Sequence, residues 1–121
     1  MKTASTILRD GRISFKKSEI LVHMIKGKKL SQARSMLKDL AEQKHSHSLQ
    51  GKYYPKTAKT FLEMLQSVEA NAKVKKLNTE KLWIKRAKAE KGVVFMRPRS
   101  RFRLRARKAK SATVEIVVEE R

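Results

Sequence analysis

Residues 97–118 read Arg-Pro-Arg-Ser-Arg-Phe-Arg-Leu-Arg-Ala-Arg-Lys-Ala-Lys-Ser-Ala-Thr-Val-Glu-Ile-Val-Val, and two alternating patterns meet inside this stretch. In its second half, Val114, Ile116 and Val118 alternate with Thr113, Glu115 and, beyond the quoted stretch, Glu119. That is the period of a strand with one face on a core and the other in water. In its first half, arginine recurs at 97, 99, 101, 103, 105 and 107, with Pro98, Ser100, Phe102, Leu104 and Ala106 between. In extended backbone those six side chains project from one face. Guanidinium groups offer planar, two-pronged hydrogen bonds to phosphate oxygens and stay charged at any physiological pH. Same-face residues of a strand lie about 6.5–7 Å apart, near the phosphate spacing of a polynucleotide strand. A strand that must return to a core, preceded by a basic alternating run, reads as a ribbon that tracks phosphates.

Working outward, Leu82-Trp83-Ile84 begins the strand that pairs with it, and about 25 residues separate the two. This is too many for a tight turn and too basic to bury, so a β-ribbon projecting over approximately residues 86–111 is expected. Thr3 to Leu8, rich in Thr and Ile, suits a further strand. Upstream the period is 3.6 and three helices are expected. Ser14 caps the first, with Ile20, Leu21, Met24 and Ile25 on one face and Gly27 as the stop. Ser31 starts the second, with Ala33, Met36, Leu37, Leu40 and Ala41 in register. The polar run Gln43 to Gln50 reads as a loop. Pro55 opens the third and longest helix, striped by Ala58, Phe61, Leu62, Leu65, Val68 and Ala72 up to Leu77-Asn78.

The 121 residues allow one domain. They carry 31 Lys and Arg against 11 Asp and Glu, a net charge of +20. Self-repulsion at this density disfavours a compact monomer unless a polyanion supplies negative charge. The excess is +7 over residues 1–50, +7 over 51–92 and +6 over 93–121, so it belongs to the whole chain and is not a basic tail on a neutral domain. Within that spread, Arg97 to Lys110 holds eight basic residues, Lys108 and Lys110 among them, and no acid. A second group, Lys16, Lys17, Lys26, Lys28 and Lys29, borders the first helix, with no acid between Glu19 and Asp39. Phosphate contact is expected there too. Lys52, Lys56, Lys59, Lys73, Lys75 and Lys76 are less diagnostic, since Glu63 and Glu69 share their helix.

Other classes fall away. No cysteine is present, which removes disulfides, thiolate zinc sites and thiol catalysis. The longest apolar run, Val93 to Met96, is far short of the roughly 20 residues needed to span a bilayer. The first ten residues lack the apolar stretch of a secretory signal. A soluble intracellular protein without membrane contact is expected. His45 and His47 have no cysteine or carboxylate cluster to complete a metal site, and His23 lies near an apolar helix face. No Gly-x-Ser-x-Gly elbow, glycine-rich phosphate loop or paired carboxylates occur. Neither an enzyme nor a cofactor is expected. Trp83 is read as packed on the sheet or its edge, whereas Phe95, Met96 and Phe102 fall where the ribbon should be far from the core.

The order Ile13-Ser14-Phe15-Lys16-Lys17, Ile25-Lys26-Gly27-Lys28, Ala33 and Leu37, Tyr54-Pro55, Glu69-Ala70-Asn71-Ala72, Pro98-Arg99-Ser100-Arg101 and the strand Thr113 to Val118 covers nearly the whole chain. It resembles the universal large-subunit ribosomal protein family called L-twenty-two in bacteria and L-seventeen in eukaryotes, with a Tyr-Pro helix entry closer to archaeal and eukaryotic members. Phe102 stands where that family usually has glycine, and the segments 43–54 and 92–98 are short by comparison. The resemblance implies an α+β domain of three helices packed on a small three-stranded antiparallel sheet, with a long protruding β-hairpin. It implies a structural constituent that binds large-subunit rRNA, supports its assembly, touches neighbouring ribosomal proteins and lines the nascent-peptide exit tunnel. Lys16, Lys17, Lys26 and Lys28 would then contact rRNA. Arg99, Arg101 and Arg103 would match basic positions after the hairpin tip, and Val94, Phe95, Met96 and Arg97 would lie near the tip, facing the tunnel and its nascent polypeptide. The other class in view is a free-standing basic RNA-binding chaperone, which would lack one dominant RNA site.

Overall fold

The computed structural model describes residues 2–43, 53–98 and 106–121. Three strands, β1 (Thr3–Gly11), β2 (Leu82–Pro98) and β3 (Ala106–Glu120), form one antiparallel sheet in the order β1-β3-β2. Among the described residues, three α-helices, α1 (Phe15–Ile25), α2 (Leu30–Ala41) and α3 (Pro55–Val74), lie between β1 and β2 in the chain. This is the expected α+β architecture, with the C-terminal strand at its centre.

The alternation of β3 decides which face is covered. Ala112, Val114, Ile116 and Val118 are buried, as are their cross-strand neighbours Ala4, Ile84 and Ala87. The intervening Thr113, Glu115, Val117 and Glu119 are half-buried on the other face. Against the apolar face α1 packs beside β2 and α3 beside β1, while α2 packs on α3. Leu21, Ile25, Leu37, Leu40, Phe61, Leu65 and Val68 are fully enclosed and join the inner sheet residues in one core.

Helix boundaries follow local chemistry. The Ser14 hydroxyl accepts from the Lys17 amide at 3.5 Å, capping α1 as expected. Gly27, at φ 77°, ends the helix in left-handed backbone. Its amide donates to the Ile84 carbonyl (3.1 Å) and the Ile84 amide to the Lys28 carbonyl (2.9 Å), so the turn after α1 pairs with the start of β2. The apolar face of α1 is Leu21, Val22 and Ile25; Ile20, expected on it, is 40% exposed. α2 begins at Leu30, one residue before Ser31, because the buried Leu30 side chain draws it into the helix and Lys29 takes the cap position. Pro55 opens α3 behind Tyr54, a residue in left-handed backbone at φ 47°.

The pairing of β2 with β3 runs from Leu82↔Glu120 to Pro98↔Ala106. β1 reaches only as far as Gly11↔Ala112. Beyond that pair the sheet narrows to the two strands β2 and β3, paired on to Pro98↔Ala106.

Candidate nucleic-acid interface

The course of α1 distributes the first basic group. Its C-terminal turn pairs with Ile84, whereas the Lys91 ammonium lies 5.9 Å from the Phe15 ring centroid, so α1 runs antiparallel to β2. Lys16 and Lys17 consequently sit at the hairpin end of the domain. Lys26, Lys28 and Lys29 sit at the opposite end, about ten residues or 15 Å away along the helix axis. What reads as one cluster in the sequence is two. Lys16, Lys17 and Lys26 are exposed, and Lys28 and Lys29 are half-buried. The Lys28 ammonium rests 3.3 Å from the Met36 sulfur, and Lys29 bridges to Trp83 at the sheet edge.

At the hairpin end more cations gather than the sequence singled out. The Lys17 ammonium lies 5.6 Å from the Tyr54 ring centroid, which places the start of α3 beside the start of α1. Lys56 and Lys59, on the first turns of α3, and Arg12 and Lys91 are all exposed. Neither helix has an acidic residue in its first turn, so the partial positive charge of both N-termini adds to these side chains. Linear spacing carries no sign of this grouping, because it arises from α1 and α3 both starting at the end where β1 stops. Phe15 and Tyr54 are the residues whose ring contacts reveal it.

The hairpin continues from this end. Val94 pairs with Lys110, Phe95 with Ala109, Met96 with Lys108 and Arg97 with Arg107. Val94, Phe95 and Met96 are 47%, 49% and 60% exposed, and Arg97, Lys108 and Lys110 are exposed too. Apolar and cationic side chains thus stand together on a two-stranded ribbon with no domain core beneath them. The register also corrects the straight ladder read from the sequence. Arg97 and Arg107 pair across opposite arms, so the six arginines do not all belong to a single strand. Arg99, Arg101, Arg103 and Arg105 lie outside the described residues.

Several acidic side chains are paired within the sheet. On the uncovered face of the sheet, Lys88 lies 3.1 Å from Glu90 and 3.5 Å from Glu115, and Arg86 lies 3.4 Å from Glu115. Glu119 is flanked by Arg121 at 2.8 Å and Lys85 at 3.9 Å. The hydrogen bond with Glu90, reinforced by Glu115, raises the Lys88 pKa. These pairs neutralise one another around a shallow hollow lined by Ile7, Arg9, Lys88, Glu90, Thr113 and Glu115. That face is close to neutral, whereas exposed cations outnumber acids at the hairpin end. Trp83 is half-buried with the Arg121 guanidinium 5.3 Å from its ring centroid, in keeping with an edge packing role. Among the described residues no group of three His, Asp or Glu converges as a metal site, and no helix is long and apolar enough to cross a membrane. His45 and His47 lie outside the described residues.

Comparison with known proteins gives this arrangement a family. Residues 6–119 match the family model described as Ribosomal protein L22p/L17e. The chain is 36% identical to the large ribosomal subunit protein uL22 of Archaeoglobus fulgidus, over 99% of this chain and 90% of that protein. It is 36% identical to the protein of the same name from Hyperthermus butylicus, over 98% and 90%. For that of Methanocaldococcus jannaschii the identity is 31%, over 98% and 88%. The alignment with the Archaeoglobus protein spans 139 positions against the 121 residues here, so the relative carries insertions that this chain lacks.

Proposed function

Because the chain belongs to the ribosomal protein L22p/L17e family, and is thus a structural constituent of the large ribosomal subunit, we propose that it holds large-subunit rRNA and presents its hairpin to the nascent-peptide exit tunnel. The observation that carries this reading is the hairpin itself, on which Val94, Phe95, Met96 and Arg97 stand away from any core of their own. In free solution such a ribbon exposes apolar surface and unpaired positive charge together. Enclosure by RNA relieves both, since base faces cover apolar side chains and phosphates meet the cations.

Two contact zones follow. Lys16 and Lys17 hold RNA at the root of the hairpin, with Lys56, Lys59 and Lys91 beside them. The hairpin cations Arg97, Lys108 and Lys110, together with Arg99, Arg101, Arg103, Arg105 and Arg107, hold RNA along its length. Lys26, Lys28 and Lys29 reach a separate stretch of RNA at the far end of α1, so the domain ties RNA segments together during assembly. Val94 to Arg97 border the tunnel, where a nascent polypeptide passes. Adjacent ribosomal proteins and a location in cytoplasmic ribosomes belong to the same reading. The role is structural, and no catalytic step is assigned to it.

The test is binding to large-subunit rRNA over a series of salt concentrations. Replacing Arg99, Arg101 and Arg103 with Ala should weaken binding and flatten the log–log salt slope by about 0.7–0.9 for each phosphate left without its cation. Unchanged affinity and slope would overturn the ribbon as an RNA contact. Retention in large subunits through a high-salt wash separates a subunit constituent from a free-standing chaperone.

A further inference from the structure

Where the hairpin leaves the three-stranded sheet, both outer strands carry an irregularity. In β1 the register jumps between Leu8↔Val114 and Gly11↔Ala112, leaving Arg9 and Asp10 opposite Thr113 alone. In β2 it jumps between Lys91↔Ala112 and Val94↔Lys110, leaving Gly92 and Val93 opposite Ser111 alone. Each is a bulge of two residues against one, which bends its strand and raises its twist.

The two bulges are joined across the middle strand. β1 and β2 are not hydrogen-bonded neighbours, because β3 runs between them. Asp10 nevertheless bridges them: its backbone is left-handed, at φ 51°, and its carboxylate Oδ1 accepts from the Val93 amide at 2.9 Å. Its own amide donates to Thr113 Oγ1 at 3.2 Å. Ser111, only 3% exposed, donates from its hydroxyl to the Val93 carbonyl at 2.6 Å. Both backbone polar groups of the bulged Val93 are thereby satisfied by side chains from the other two strands. Gly92 makes room for this. A Cβ there would stand 2.5 Å from both Asp10 Oδ1 and Ser111 Oγ, closer than such atoms approach.

A one-residue bulge also exchanges the faces of everything beyond it. Before it, Ala87 and Ala89 share the covered side of the sheet with Ala112 and Val114. After it, Val94 and Met96, opposite Lys110 and Lys108, take that side, and Phe95 and Arg97 take the other. Without the bulge the two pairs would change places.

The geometry points to Asp10, Gly92 and Ser111 as a bracket that holds the β2 bulge, and so fixes which hairpin side chains face which way and at what angle the hairpin leaves the domain. The bracket deepens the hairpin's proposed role and rests on that reading for its biological use. Its existence is tested on the free, full-length protein without RNA. The chain has no cysteine, so spin labels at Met96→Cys and Gln66→Cys report one distance, from hairpin to α3. Asp10→Ala and Gly92→Val should each shift that distance or broaden its distribution about twofold, with Val93 amide exchange about tenfold faster. Asp10→Asn, which keeps an oxygen acceptor for the Val93 amide, should retain the narrow distribution. A reference pair at Lys29→Cys and Gln66→Cys should stay unchanged in every variant. Wild-type distances and exchange in both Asp10→Ala and Gly92→Val would overturn the bracket, as would a change that spreads equally to the reference pair. Failure of the same variants to alter subunit incorporation, with the distance changed as expected, would instead count against the hairpin's RNA role.

Discussion

Glu69 is the residue that ties the helical layer together. Its carboxylate receives the Arg34 guanidinium from α2 and lies 3.4 Å from Lys73 one turn further along α3. The hydrogen bond from Arg34 lowers its pKa from the ordinary carboxylate value; burial opposes this, and the charges of Arg34 and Lys73 with the Lys73 hydrogen bond add to the lowering. Two residues on, Asn71 donates to the Ser5 carbonyl at 2.8 Å, and Lys75 donates to that of Thr3 at 3.0 Å. These carbonyls lie on the edge of β1 away from β3, so α3 covers a strand edge that would otherwise invite pairing. A lowered carboxylate pKa contributes stability that is present above the unfolded value and lost as pH falls through the folded one. Glu69→Gln should therefore destabilise the domain by about 0.5–1 kcal/mol at neutral pH, a discount for the pair's partial exposure included. The gap to wild type should close as the pH is lowered below the carboxylate range, which thermal melts across a pH series would register. A gap independent of pH would show that packing, not charge, carries the contact. In the sequence, Glu69 and Asn71 stand out only as parts of a family resemblance; their partners lie 35 and 66 positions away, beyond the reach of any local pattern.

Elements are legible in proportion to how far one periodic pattern governs them. α3 is 20 residues with a proline at its start and a continuous stripe, and both its beginning and its buried face agree with the spacing. Phe61 sits fully enclosed at the middle of that stripe. Phe61→Ala should cost about 3–5 kcal/mol, a large part of the roughly 5–15 kcal/mol that holds a domain together. Urea denaturation should place its midpoint well below that of wild type. In α1 the stripe departs from the spacing at one position. Ile20 and Val22 are both apolar and lie on different sides of the helix, and only the sheet beneath selects Val22. The strands are recognisable from alternation, yet the bulges are not. A bulge leaves both flanking patterns intact and changes only their phase, and the side chains that stabilise it come from other strands. The arginine series shows the same limit, because alternation predicts a common face but cannot show where the strand turns back.

At the scale of the whole molecule, the charge of +20 is less uniform than its even division along the chain implies. Glu90, Glu115 and Glu119 are paired on the uncovered face of the sheet, and Glu69 is paired between helices. Exposed cations gather at the hairpin end, where α1 and α3 both begin, and along the hairpin, while Lys26, Lys28 and Lys29 stand at the far end of α1. The fold thus sorts part of a diffuse excess into a neutralised sheet face and a cation-rich hairpin end, and the hairpin carries that end outward with Val94, Phe95 and Met96 exposed beside Arg97, Lys108 and Lys110. The sorting needs the antiparallel run of α1 along β2, which no count of charges along the sequence contains. The most direct test of the hairpin's placement is a photoreactive probe at Met96, in large subunits that have incorporated the chain and are translating a stalled, labelled nascent polypeptide. The account predicts a crosslink between position 96 and the nascent chain, absent when the probe is moved to Gln66 on α3. Crosslinks from position 96 to rRNA or neighbouring proteins alone, with none to the nascent polypeptide, would contradict it.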